Sequence, residues 1–193
     1  MIEYHQLLRK LLELPFELFE GILFRRIALA ALQSITPQQF LYALGAGKEG
    51  ARFTPRNGPP CLYASLEETT AEAEFKQNSF ADFRNKAAPP SVVYSLQTRL
   101  EKVIDLTNVS NLQKLKINQK ELAASWRLHP KNTSTQTLGM AAYNCGKITA
   151  LKYPSTRHSG GICYVIFTER LEKSSFVELY DPQGIFTERI PIR

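Results

Sequence analysis

The stretch that decides the fold and the candidate site, residues 50–74, reads GARFTPRNGPPCLYASLEETTAEAE. Its glycines and prolines predict a turn that carries Arg52. Residues 61–64 that follow are apolar apart from the hydroxyl of Tyr63 and predict a short strand. The turn and the strand therefore present a planar cation and an aromatic ring close together in the chain.

A helix is predicted immediately after this strand. Ser65 and Glu68 have the spacing of a capping box, which indicates that the helix begins at this point. The same helix carries Glu74, and the residues one turn earlier, Thr70 and Ala71, have small side chains that leave room for a ligand. The helix is thus expected to add a carboxylate to the arginine and the tyrosine.

These residue types match the parts of a dinucleotide. The guanidinium of Arg52 can make two parallel hydrogen bonds to a phosphate. Tyr63 offers a flat ring for stacking, and Glu74 offers a negative charge that can stabilise a sugar cation. A second segment, Tyr-Pro-Ser-Thr-Arg at residues 153–157, supplies a hydroxyl and another cation. The pattern is what a pocket needs to cleave a dinucleotide at its glycosidic bond.

The rest of the chain predicts an α+β fold, because strands and helices follow each other without regular alternation. One domain, residues 1–193, is expected, with a helical extension at residues 1–21 and a core at residues 22–190. The extension follows from the leucine spacing over residues 6–20, which Pro15 interrupts. The other predicted helices begin at Thr36 and cover much of residues 109–145, and the predicted strands are 21–28, 91–97, 102–106, 148–152, 161–168, 175–180 and 185–190.

Composition narrows the function classes. The 193 residues carry a formal net charge of +6, which is compatible with a phosphate-bearing ligand or an acidic partner. The basic residues are scattered, so direct nucleic-acid binding is not expected. No segment resembles a signal peptide or a membrane span. The three cysteines lack the spacing of a disulfide framework or a zinc site, and they fit a reducing cytoplasm.

Four motifs in this order and spacing resemble the RES domain, a family named for its Arg, Glu and Ser. Arg26 lies in Phe-Arg-Arg-Ile, and Arg52 lies in Gly-Ala-Arg-Phe-Thr-Pro. Tyr63 and Glu74 have the family's separation between Tyr-x-Ser and Ala-x-x-Glu. The fourth motif is Pro-Ser-Thr-Arg at residues 154–157, before an apolar strand.

Members of this family are the toxins of bacterial Res–Xre toxin–antitoxin pairs. The resemblance implies a fold like that of ADP-ribosyltransferase toxins, with a curved, split sheet flanked by helices. It also implies cleavage of the nicotinamide–ribose bond of NAD, with water or phosphate as the acceptor. NAD is then the substrate, and neither a metal nor a further cofactor is expected. The expected protein partner is an Xre-type antitoxin.

The resemblance also assigns roles to residues. Arg52, Glu74 and Ser155 are the expected catalytic residues. The expected substrate-binding residues are Tyr63, Arg26 and Arg157. Glu74 would stabilise the ribose cation, Arg52 would bind the pyrophosphate, and Ser155 would hydrogen-bond the nicotinamide ribose or amide.

Two alternatives remain open from the sequence. The same pocket could transfer ADP-ribose to a protein, or it could belong to a non-catalytic nucleotide-binding module. The oligomeric state also stays open, and a homodimer is compatible with the sequence.

Overall fold

The computed structural model describes residues 4–32, 36–82, 88–127, 132–172, 174–180, 183 and 188–191. The fold mixes helices with one sheet, as the sequence predicted. The helices are α1 (Tyr4–Leu12), α2 (Leu29–Leu32), α3 (Pro37–Tyr42), α4 (Leu44–Glu49), α5 (Glu68–Asp82), α6 (Val109–Leu115), α7 (Gln119–Ala123) and α8 (Ser134–Asn144). The strands are β1 (Glu17–Ala28), β2 (Cys61–Ser65), β3 (Ser91–Asp105), β4 (Ala150–Pro154), β5 (Ile162–Phe167), β6 (Phe176–Leu179) and β7 (Arg189–Ile190).

The sheet closes on itself like a small barrel. Its strand order is β1-β2-β5-β4-β3-β6-β7, and β1 also pairs with β3. The contact between β1 and β2 is a single register pair, Phe24 with Ser65, whereas β1 and β3 pair along almost their whole length. On the edge of β3 that does not face β1, residues 96–99 pair with β6 and residues 103–105 pair with β4. Two different strands therefore continue the sheet from this edge. The expected likeness to ADP-ribosyltransferase toxins stays a prediction.

The closed sheet has two apolar faces because side chains alternate along each strand. Leu62 and Ile166 belong to one core cluster, which α3 covers with Phe40 and Leu41. The neighbouring side chains point the other way into a second cluster, which contains Val165 of β5 together with residues of α1, α6, α7 and α8. The helices therefore stabilise the sheet from both sides and hold its strands in register.

The N-terminal segment differs from the prediction. The helix expected over residues 6–20 ends at Leu12, and residues 17–21 belong to β1, where they pair with β3. Leu7 and Leu11 are buried in the helical core cluster. The segment is thus packed into the core rather than attached to it. The assignment of the whole chain to one domain stays a prediction.

β3 is one long strand and not the two predicted short ones. The polar residues that suggested an interruption find partners within the sheet. Thr98 is fully buried and its hydroxyl donates to the carbonyl of Leu96. Arg99 pairs with Glu20 of β1 at 2.6 Å and with Glu101 at 3.5 Å. Hydrogen bonds and ion pairs therefore keep these polar residues within one continuous strand.

The helix that carries Glu74 begins at Glu68, but the predicted capping box is wrong. Ser65 is the last residue of β2 and pairs with Cys163 of β5. Its hydroxyl lies 3.6 Å from the Cys163 sulfur and not at the helix terminus. Strand pairing has turned the side chain away from the helix it was expected to cap.

The remaining helices and strands agree only in part with the positions predicted from the sequence. α3 begins after Thr36 as predicted, and Thr36 caps it with a complete capping box. The glycine-containing segment Leu44–Glu49 forms the short helix α4. The strands predicted at residues 175–180 and 185–190 correspond to β6 and β7, which pair antiparallel, and residues 181–182 and 184–187 lie outside the described residues. None of the helices in the described part of the chain is long and apolar enough to span a lipid bilayer.

Candidate functional site

A cleft of about 910 Å³ opens between β1, β2, α5 and the turn at residues 50–54. It brings together the residues that the sequence singled out, although they come from distant parts of the chain. Five of the six line the cleft: Arg26, Arg52, Tyr63, Glu74 and Arg157. The sixth, Ser155, reaches the same place through a hydrogen bond to Glu74.

The turn at residues 50–54, called the Arg52 turn, is closed by two backbone hydrogen bonds between Ala51 and Thr54. The backbone N–H of Ala51 donates to the carbonyl of Thr54 at 2.7 Å, and the reverse bond is 3.3 Å long. Gly50 enters the turn with a φ of 79°, a left-handed conformation that favours glycine. Gln136 of α8 is buried and donates its side-chain amide to the carbonyl of Ala51 at 3.1 Å. The turn is therefore tied to a helix far away in the sequence.

Two further contacts hold the turn at Phe53. The Tyr63 hydroxyl accepts a hydrogen bond of 3.0 Å from the backbone N–H of Phe53. On the other side, α8 approaches so closely that a Cβ at Gly139 would lie 1.9 Å from the Phe53 carbonyl oxygen. Burial raises the pKa of Tyr63 above its ordinary range, so this hydroxyl stays neutral. Tyr63 thus positions the turn while its side chain contributes to the cleft wall.

The guanidinium of Arg52 is fixed by neutral acceptors. Nη1 donates to the Leu122 carbonyl at 2.7 Å, and Nη2 donates to the Thr156 hydroxyl at 2.9 Å. Within the described residues no carboxylate forms an ion pair with it. Its positive charge is therefore oriented but not neutralised, which suits an anionic ligand.

Glu74 is oriented by Ser155, whose hydroxyl lies 2.7 Å from the carboxylate. The Ser155 oxygen also accepts from the backbone N–H groups of Arg157 at 3.0 Å and His158 at 3.1 Å. Because a serine hydroxyl has one proton and two lone pairs, these two donors direct that proton to Glu74. The Ser155 hydroxyl therefore donates to the carboxylate of Glu74, and its expected contact with the nicotinamide ribose or amide stays a prediction.

The environment of Cys163, which lies beside Glu74, disfavours a role as a cysteine nucleophile. Burial, with the Glu74 carboxylate nearby, raises the pKa of the Cys163 thiol to about 12. This shift favours the neutral thiol at neutral pH, whereas a cysteine nucleophile reacts as the thiolate. Of the two small residues expected to leave room beside Glu74, only one borders the cleft. Ala71 lines the cleft, but Thr70 is fully buried and its hydroxyl lies 2.7 Å from Nδ1 of His158.

Positively charged side chains outnumber negatively charged ones in the lining of the cleft. Arg26 donates to the Ser91 hydroxyl at 2.8 Å and lies 3.4 Å from the carboxylate of Glu72. Arg157 is exposed at the rim of the cleft. Among the described lining residues, six are arginines and two are glutamates: Arg25, Arg26, Arg52, Arg56, Arg127 and Arg157 against Glu49 and Glu74. Such a surface attracts anions.

Several described residues at or behind the cleft were not predicted from the sequence. Trp126 and Arg127 form part of the cleft wall, and Gln136 and Gly139 lie behind it. A glycine inside a helical pattern often has a packing reason, which was the available signal for Gly139. The other signal was a solitary tryptophan in a polar segment.

The arrangement can bind an anion and stabilise a positive charge side by side. Arg52 lies next to Thr156, and the adjacent Ser155 holds the carboxylate of Glu74. The geometry thus fits a phosphate-bearing sugar whose ring gains positive charge during bond cleavage. Within the described ranges, no three His, Cys, Asp or Glu side chains cluster so that they could hold a metal ion.

Comparisons with known proteins test the resemblance to the RES domain. The family model described as the RES domain matches residues 23–186. Among solved structures, the chain resembles one from the crystal structure of the M. tuberculosis MbcT–MbcA toxin–antitoxin complex. The TM-score is 0.69 at 14% sequence identity, and the match covers 91% of this chain and 90% of the other. No curated protein matches the chain.

Proposed function

This chain belongs to the RES domain family, and from that premise we propose that it is the toxin of a toxin–antitoxin system and consumes NAD. The reaction would cleave the nicotinamide–ribose bond, with water or phosphate as the acceptor. One observation carries the proposal: the Ser155-oriented carboxylate of Glu74 shares a cleft with the unneutralised guanidinium of Arg52.

The proposed chemistry follows from the charges. In NAD the nicotinamide nitrogen is positively charged, and the departing ring takes the bonding electron pair and leaves uncharged. The ribose then gains the positive charge as an oxocarbenium-like centre, which the Glu74 carboxylate stabilises. Water or phosphate attacks this centre, and a water acceptor releases its proton to the solvent. No strong general acid is needed for the leaving group.

Different residues of the cleft are proposed to bind different parts of NAD. Arg52 would bind the pyrophosphate, with Arg26 and Arg157 adding positive charge nearby. Tyr63 would contact the nicotinamide or its ribose with the face of its ring. Ser155 would act by positioning Glu74, because its proton is already directed to that carboxylate.

The partner is proposed from two sources. The family resemblance suggests an Xre-type antitoxin, and the structural neighbour was solved as a toxin–antitoxin complex. A positive cleft also suits a partner segment that carries carboxylates. The proposed site of action is the cytoplasm.

The decisive experiment is incubation of the purified protein with NAD, alone and with inorganic phosphate. We expect free nicotinamide in both cases, with ADP-ribose as the second product in water. A phosphorylated ADP-ribose that appears only with phosphate would identify a phosphorylase. NAD labelled in its adenylate half tests the transferase alternative, because label would then appear on protein. If NAD remains intact under all conditions, the enzymatic proposal is wrong and a binding module takes its place.

A further inference from the structure

Trp126 and Arg127 form a wall of the cleft that the proposed chemistry does not use. The Arg127 guanidinium carbon lies 4.6 Å from the centroid of the Trp126 ring, a cation–π geometry. Trp126 is only half-buried and belongs to neither core cluster of the described residues. It is the one tryptophan of the chain. A large aromatic ring in this setting is available for a ligand.

The position of this wall relative to the rest of the site is set by Arg52. Nη1 of Arg52 donates to the carbonyls of Leu122 at 2.7 Å and Ala124 at 3.4 Å, directly before the wall. Nη2 of the same guanidinium donates to Thr156, the neighbour of Ser155. Arg52 therefore bridges the two sides of the cleft, with the carboxylate on one side and the tryptophan on the other.

We propose that Trp126, with Arg127 beside it, is the stacking platform for the adenine base of the dinucleotide. A dinucleotide has two bases separated by two riboses and a pyrophosphate. If the carboxylate of Glu74 contacts one ribose and Arg52 binds the pyrophosphate, the second base lies beyond Arg52, where Trp126 lies. Indole rings and guanidinium planes both stack on nucleobases. This inference rests on the proposed function for the order of the substrate along the cleft.

The test compares two ligands that differ by the adenosine unit, ADP and inorganic pyrophosphate. Calorimetry would measure the dissociation constant of each for the wild-type protein, Trp126→Ala and Trp126→Phe. We expect Trp126→Ala to weaken ADP binding about tenfold or more, the scale of one base–aromatic stack, and to leave pyrophosphate binding unchanged. Trp126→Phe retains an aromatic face and should retain most of the ADP affinity. Tyr180→Ala, an exposed tyrosine outside the cleft, is the matched control.

Fluorescence gives a second reading from the same residue. Stacking of a purine on the only indole of the chain should quench its emission when ADP is added, and pyrophosphate should not. If ADP affinity is unchanged in Trp126→Ala, the proposal is wrong. If ADP and pyrophosphate lose affinity equally, Trp126 acts by positioning Arg52 and the stacking platform is overturned. Failure to bind ADP in the wild-type protein overturns it as well.

The binding measurements need no turnover, so the two proposals can fail separately. If Trp126→Ala weakens ADP binding but the wild-type protein leaves NAD intact, the proposed adenine site is supported and the proposed reaction is wrong. If the protein cleaves NAD but Trp126→Ala binds ADP as tightly as the wild-type protein, the proposed reaction is supported and the proposed adenine site is wrong.

Discussion

The Arg52 turn and the Glu74–Ser155 pair lie in one cleft but are built in different ways. The turn is held by β2 and α8, through Tyr63, Gln136 and Gly139. The carboxylate of Glu74 depends on one short hydrogen bond from a serine in a loop. The Arg52 turn is therefore held by several packed elements, whereas the orientation of Glu74 depends on one hydrogen bond between a helix and a loop.

This difference predicts where substitutions act. Changes behind the Arg52 turn should alter stability and substrate binding together, because the turn is part of the packed structure. Changes at the carboxylate should alter turnover and leave the fold intact. Four substitutions test this division, and their expected effects decrease from Glu74→Gln to Asp105→Asn.

The largest effect is expected from Glu74→Gln. The amide keeps the shape of the side chain and can still accept the Ser155 proton, but the negative charge is lost. Turnover of NAD should fall by about 10²-fold or more, the scale of one electrostatic stabiliser, whereas the free energy of unfolding should change little. Glu68→Gln, an exposed position in the first turn of the same helix, is the control. Turnover near that of the wild-type protein would contradict the role of Glu74.

The next effect is expected from Gly139→Ala. The new Cβ would meet the carbonyl oxygen of Phe53 at 1.9 Å, so either α8 or the Arg52 turn must move. We expect the free energy of unfolding in urea to fall by about 1–3 kcal/mol, together with weaker NAD binding. Gly45→Ala is the matched control, because a Cβ there has no neighbour within 4 Å. Equal stability of the two variants would show that the turn does not depend on this contact.

Arg52→Lys should have a smaller effect, confined to binding. An ammonium group keeps the charge but cannot hold the carbonyl of Leu122 and the hydroxyl of Thr156 while it also faces a phosphate in a forked geometry. The KM for NAD should rise about tenfold, equivalent to about 1.4 kcal/mol. Arg99→Lys, at a surface ion pair with Glu20, should leave KM unchanged. The same rise in both variants would indicate that general basicity alone matters.

The smallest effect concerns the strand that leads to Ser155. Asp105 of β3 pairs with Lys152 of β4 at 2.8 Å. Burial opposes ionisation of Asp105, but hydrogen bonds from Lys152 and Thr107 outweigh it, so its pKa lies below the ordinary value. The resulting stabilisation is present above about pH 4, the unfolded value, and is lost as pH falls through the lower folded value.

Asp105→Asn should therefore flatten the acid side of the stability profile. Urea unfolding between about pH 5 and pH 2 should show a shallower loss of stability than in the wild-type protein. NAD turnover at neutral pH should change less than in Glu74→Gln. An unchanged acid slope would mean that the pair with Lys152 does not lower the pKa of Asp105 in solution.

The sequence predicted more of the cleft's residues than of its architecture. Arg52, Tyr63 and Glu74 were found because each lies in a local pattern of turn, strand and helix. Gly139 was missed because its significance depends on a backbone carbonyl that approaches from a different part of the chain. The capping box failed for a related reason, since pairing of Ser65 with β5 took the hydroxyl away from the helix.

By itself, the sequence determined the α+β class, most strand and helix locations and the chemical types of the site residues. Those properties depend on side-chain periodicity, turn chemistry and the charge of individual groups, which neighbours in the chain largely settle. Only the tertiary structure decided that the sheet closes through β1 and β3, that the proton of Ser155 points to Glu74, and that Trp126 faces the cleft. These depend on contacts between segments distant in sequence, whose meeting is set by packing of the whole core.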